Sequence, residues 1–338
     1  MLSRLAVSRK PSSPKLAVCL CPLLFVVSPV ASVIAADPPA APQAAPPTVG
    51  GPRALPTDDG WQIYITYFPA PGDREAITKE APVVVLLHGD KQNRLVYEGP
   101  HGLAPRLQEK GCAVITVDLR KHGQSTNLSQ VGGSSPASGR SEATIQPSDY
   151  RAMVDSDLEA VKKFIQREHQ SKKLNMRKTA IVGAGFSVAV AAVFAAADWN
   201  KEPYDDAPSD DMKTPRGQDV RTLVFLSPPA RVRGLNMNEA LNEIRNPDWN
   251  IAVLTLYGKA SKADTKDAVA LDKRLTGTSK TSKDRIRLVA VNVPSRGTDL
   301  LGLRDIDTEG AILKFFQLHL FDLRDSEWRD RQSRLVRK

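Results

Sequence analysis

The side chains that could do chemistry are few and widely spaced. Five histidines could serve as general bases: His88, His101, His122, His169 and His319. His88 and His122 each stand just after an apolar run, at the end of a strand where open α/β sheets bind ligands. Ser187 is a hydroxyl two residues past the glycines of Gly183-Ala184-Gly185-Phe186, and Asp264 is a lone carboxylate after another apolar run. Asp205, Asp206, Asp210 and Asp211 could offer oxygens to calcium, but they lack the spacing and glycine of an EF-hand loop, so a solvated acidic loop is expected. The paired glycines lack the Gly-Lys-Ser/Thr of a phosphate loop, and Val188 stands where a dinucleotide fingerprint needs its third glycine. No nucleotide, cofactor or metal is therefore expected.

The elements that must position these groups follow from hydrophobic patterning. Residues 82–88 and 112–118 are short and almost continuously apolar, as strands buried on both faces should be, and 179–183, 222–226, 251–257 and 286–292 read as further strands. Residues 61–68 alternate, which suggests a half-exposed edge strand. Helical periodicity runs through Met153, Leu158, Val161, Phe164 and Ile165, and helices are expected near 266–275 and 309–320. Buried strands alternating with helices predict an α/β fold, a doubly wound, mostly parallel sheet flanked by helices. Within it, 179–197 reads as strand, sharp turn at 183–185 and Ala/Val-rich helix.

Three segments then resemble the α/β-hydrolase superfamily of serine hydrolases. The strand–turn–helix at 179–197 resembles its nucleophile elbow, where Gly-x-Ser-x-Gly perches a serine above the sheet. His88-Gly89 resembles the His-Gly after the third strand, and Asp118-Leu119-Arg120-Lys121-His122-Gly123-Gln124-Ser125 resembles the loop after the fourth. The resemblance covers about residues 61–321. It implies an oxyanion loop at His88, Gly89 and Asp90, a second oxyanion contribution from Phe186, and a triad at three positions. Those positions hold Gly185 for the serine, Ser261 for the acid and Arg296 for the histidine. Glycine has no nucleophile, and arginine stays protonated and cannot take a proton.

The resemblance thus implies a degenerate, non-catalytic binding or scaffolding module. Arg296 and His122 are its candidate ligand contacts, Arg296 suiting a carboxylate or phosphate. The alternative is an active esterase-type hydrolase with a relocated nucleophile at Ser187, served by Asp264 and His88. For Ser187, helical geometry turns the hydroxyl about 200° from residue 185, towards neighbouring backbone. Asp264 would serve only if its loop shifts.

Composition frames this. The 338 residues are 41% hydrophobic and 25% charged, with net charge +9. Residues 1–36 carry a basic start and an apolar run ending in small residues, the pattern of a signal peptide, with an uncleaved anchor as the alternative. Cleavage would leave about +5. Export to the periplasm or exterior is then expected, with membrane contact only through that segment if uncleaved. Bulky Val18 before Cys19 argues against a lipoprotein. Past the leader only Cys112 remains, so no internal disulfide can form. Basic residues are scattered in sequence, which gives no footprint for nucleic acid. Partners are expected to be an unknown small molecule or an envelope protein. Residues 37–59 read as a Pro/Ala-rich linker, 60–321 as the domain and 322–338 as a charged, solvated tail.

Overall fold

The computed structural model describes residues 50–126, 144–277 and 284–336; the leader and most of the loop between 125 and 149 lie outside them. Eight strands form one sheet: β1 (Gly50–Pro56), β2 (Gln62–Phe68), β3 (Pro82–Leu87), β4 (Ala113–Val117), β5 (Asn175–Ala184), β6 (Val220–Leu226), β7 (Ala252–Gly258) and β8 (Ile286–Val291). Their spatial order is β1-β2-β4-β3-β5-β6-β7-β8. β1 and β2 pair antiparallel, as do β2 and β4, and every other pair is parallel. The α/β reading of the sequence holds.

The inner apolar strands are continuous because each buries both faces, whereas β8, at the far edge, buries only Ile286 and Val291 and exposes Arg287 and Ala290. On β3, Val83, Val85 and Leu87 join one core while Val84 and Leu86 join the other. On β6, Leu223 and Phe225 face the first core and Val224 and Leu226 the second. The first core is closed by four helices: α4 (Leu158–Gln170), α5 (Ser187–Trp199), α6 (Met237–Ile244) and α7 (Lys262–Thr276). The second is closed by α2 (Leu103–Glu109) and α8 (Thr308–Phe316). Short α1 (Glu75–Thr78) has no buried residue. α3 (Pro147–Ala152) runs through a π turn, Met153–Asp157, into α4.

Three boundaries differ from the sequence reading. The expected linker, 37–59, contains β1, and Leu55 is buried in the first core. Proline is tolerated there because β1 is the sheet edge, where Pro52 and Pro56 forfeit few ladder bonds. β2 is consequently an inner strand, covered by β1, and not the edge. The tail is anchored: Ser326, Arg331 and Ser333 are buried, and the Trp328 indole donates to the His169 carbonyl at 3.0 Å. His169 itself is fully buried, with Nε2 2.8 Å from the Arg329 carbonyl.

Among the described residues no helix is long and apolar enough to cross a membrane.

Candidate functional site at the carboxyl edge of the sheet

The loops after β3, β5, β6 and β8 surround a cavity of about 660 Å³. Its wall includes Gly89, Asp90, Tyr150, Gly185, Phe186 and Ser227, with Arg231, Arg233 and Arg296 as its cations. This is the edge at which open α/β sheets hold ligands.

Gly185 forms the turn between β5 and α5. Its φ is +55°, a left-handed conformation that glycine takes freely. Its amide donates to the Leu226 carbonyl at 3.0 Å, tying the turn to β6. A Cβ on residue 185 would enter open space, its nearest neighbour the Asp90 Oδ2 at 3.5 Å. A carboxylate therefore stands beside the point from which a residue-185 side chain would project. Gly183 differs: its added Cβ would lie 2.8 Å from the Ser187 carbonyl oxygen. That glycine lets α5 close directly onto the strand end.

Ser187 is fully buried at the start of α5. Its Oγ accepts from the Ala184 amide at 2.9 Å and lies 3.1 Å from the Leu87 carbonyl oxygen. As helical geometry required, it serves the backbone and does not line the cavity. His88 is equally engaged. Nδ1 is 2.9 Å from the Gly89 carbonyl, and Nε2 accepts from the Leu119 amide at 3.2 Å, which fixes the proton on Nδ1. The His122 ring packs 4.6 Å from the His88 ring and stacks on Phe186 at 5.3 Å. The oxyanion-loop segment is also occupied: the Gly89 amide donates to Gln92 Oε1 at 3.1 Å, and Thr298 donates to the same oxygen at 2.8 Å.

Ser261 and Asp264 exchange roles relative to the sequence reading. Ser261 is the N-cap of α7 and its hydroxyl accepts from the Asp264 amide. The helix begins at once, so its third residue turns inward and Asp264 is fully buried without any loop shift. One carboxylate oxygen accepts from Ser227 Oγ at 2.7 Å and from the Gly258 amide at 3.1 Å. The other lies 3.3 Å from a guanidinium nitrogen of Arg296, whose side chain is half exposed. Asp264 is thus a fully buried acid behind the cavity wall, bonded to two of its lining residues, Ser227 and Arg296. Ser227 was missed by sequence reasoning. It sits at φ +51°, strained for a residue with a side chain, immediately after β6, where Pro228 and Pro229 force the chain away. The signal was there: a polar residue closing an apolar strand at the ligand edge.

Among the described residues, no cluster of three or more His, Cys, Asp or Glu is arranged to hold a metal ion. Asp205, Asp210 and Asp211 are exposed, as a solvated acidic loop requires, while Asp206 accepts from the amides of Thr214 and Arg334 at 2.9 Å each.

Burial, and after it the charge of the His122 ring, push the His88 pKa from 6.5 down to about 3. The folded protein keeps this ring neutral while the unfolded chain protonates it below 6.5. Stability from His88 is therefore complete above pH 6.5 and is lost as pH falls towards 3, at about 1.4 kcal/mol per pH unit. Urea titrations at stepped pH are expected to show a shallower acid loss in a His88→Gln variant than in the wild type.

Sheet order, crossovers and an elbow-like turn at the ligand edge define an α/β-hydrolase fold. Solved structures agree on that fold. An esterase from Pyrococcus furiosus superimposes with a TM-score of 0.53 at 14% identity, covering 80% of this chain and 91% of that one. An esterase from the fungus Rhizomucor miehei gives 0.51 at 11%, covering 82% and 86%. An alpha/beta hydrolase from a Penicillium species gives 0.50 at 13%, covering 80% and 98%. No protein-family model matches the sequence, and no curated protein matches it.

Proposed function

We propose that this is a hydrolase-like protein whose carboxyl-edge cavity binds a small anionic molecule without hydrolysing it. One observation carries the reading: the turn residue facing the cavity is Gly185, while Arg296 sits on the buried carboxylate of Asp264. A serine hydrolase needs a nucleophile on that turn and a neutral base beside the acid. The wall here offers instead three guanidinium groups, from Arg231, Arg233 and Arg296, against the carboxylates of Asp90 and Asp299. Guanidinium forks suit carboxylates and phosphates, which they grip with two parallel hydrogen bonds. The leader pattern of residues 1–36 supports action outside the cytoplasm, where the ligand could be a solute or an acidic side chain of an envelope protein.

Calorimetric titration with small dicarboxylates and phosphomonoesters tests this. The tightest-binding member is expected to lose about tenfold or more in affinity on Arg296→Ala, equal to about 1.4 kcal/mol. An unchanged affinity would remove Arg296 from the site.

A second reading has its own support. Ser227 lines the cavity in a strained conformation and donates to Asp264 at 2.7 Å. In an active hydrolase with a relocated nucleophile, Ser227 is a better candidate than Ser187, which does not line the cavity.

A further inference from the structure

The basic residues that look scattered in sequence converge at the opposite edge of the sheet. Arg177 near the start of β5, Arg221 at the start of β6, Lys213 before it, and Arg329, Arg331 and Arg334 from the C-terminal segment line one cavity of about 490 Å³. Six cations face two lining carboxylates, Asp211 and Asp330.

The neighbours hold these guanidinium groups in place more than they neutralise them. Arg177 donates to the backbone carbonyls of Glu327 at 2.5 Å and Asp325 at 3.0 Å. Arg221 lies over the Trp199 ring at 5.2 Å and makes no ion pair among the described residues. Arg331, only 4% exposed, donates to the carbonyls of Pro215 at 3.1 Å and Gly217 at 3.3 Å, and pairs with Asp219. Its Nε, like that of Arg221, is buried without a hydrogen-bond partner. Arg329 and Arg334 are exposed, and their side chains form no ion pair among the described residues. Lys213 is balanced by Asp205 and Asp210, and Lys162 with Asp198 and Asp219 lies behind the cavity. Burial and then repulsion from Arg331, Arg329 and Arg221 lower the Arg177 pKa, which agrees with positive charge left over at this spot.

Arg331, Arg329 and Arg221 repel Arg177 across this cavity, and Asp219 and Asp325 offset the crowded positive charge in part. A multiply charged anion relieves that repulsion, and groups already fixed by backbone carbonyls lose little entropy on binding it. We propose that this amino-edge cavity is a binding site for a compact oligophosphate group, separate from the carboxyl-edge cavity. The forked donors suit phosphate oxygens, and the volume suits two or three linked phosphates rather than a polymer.

The test is calorimetric titration of the folded full chain with sodium tripolyphosphate at several salt concentrations. Saturable binding that weakens steeply with salt is expected. An Arg329→Gln/Arg334→Gln variant, altered only at exposed side chains, should bind at least tenfold more weakly with an unchanged melting temperature in buffer. Arg296→Ala should leave this binding intact. Vesicles with phosphorylated head groups that displace tripolyphosphate would identify a lipid as the source, and failure to displace would identify a soluble anion. Absence of saturable binding, or loss with Arg296→Ala and none with the double variant, would overturn the proposal. The latter pattern would leave the carboxyl-edge reading standing, so the two ideas fail separately.

Discussion

An Asp157→Ala variant is expected to lose about 3–5 kcal/mol of stability, the cost of leaving one member of a buried ion pair alone. Asp157 is fully buried at the end of the π turn that joins α3 to α4. It accepts from the Arg120 Nε at 2.9 Å, from Nη2 at 2.6 Å and from the Arg120 amide at 3.0 Å. Burial pushes its carboxyl up to about 6, with Arg120 pulling the other way, so the pair is formed at pH 8. Without Asp157 the guanidinium keeps only Asp59, at 2.8 Å and partly exposed, and the Trp61 ring at 5.2 Å. The loop after β4 would lose its anchor, and His122 with it. A domain of this kind is stable by roughly 5–15 kcal/mol, so the loss is a large fraction. Urea midpoints for Asp157→Ala and Asp157→Asn check this. The amide keeps an acceptor and should lose less than the alanine, and equal losses would mean that the carboxylate charge, not its acceptor oxygen, holds Arg120.

Gly183→Ala is expected to cost about 3 kcal/mol, the upper end of overpacking, and more than Gly185→Ala. The new Cβ at 183 would meet the backbone of Ser187 and Val188 at 2.8–2.9 Å, and backbone cannot rotate away as a side chain does. At 185 there is room, so the cost is limited to the positive φ, about 1–3 kcal/mol. Thermal melts of the two variants settle the order. If Gly185→Ala is the worse of the two, the turn described for β5 and α5 is incorrect.

The fold was legible because its evidence is local. A strand buried on both faces must be apolar at nearly every position, and five such runs with a sixth, more polar strand at 286–292, separated by helical periods, leave few other architectures. The turn at 183–185 was legible for the same reason, and so was the direction of Ser187. What escaped was anything set by more than one segment. Asp264 lies three residues beyond the expected acid position, and only the helix that Ser261 caps turns it inward. Ser227 had no partner in sequence, since Asp264 is 37 positions away. β1 was hidden by its composition, because proline argues against a strand everywhere except an edge. The amino-edge arginines, spread from 177 to 334, have no common spacing at all. Only the meeting of β5, β6 and the C-terminal segment assembles them.

The carboxyl-edge cavity is proposed to carry no serine nucleophile, and intact mass after exposure to a fluorophosphonate tests this most directly. Circular dichroism on the same sample would establish that the protein is folded. The expected result is an unchanged mass, because Gly185 offers no hydroxyl and Ser187 is turned into the backbone. A single stoichiometric adduct would contradict the claim. Peptide mapping of that adduct to Ser227 would make this protein a hydrolase with its nucleophile one strand away from the turn.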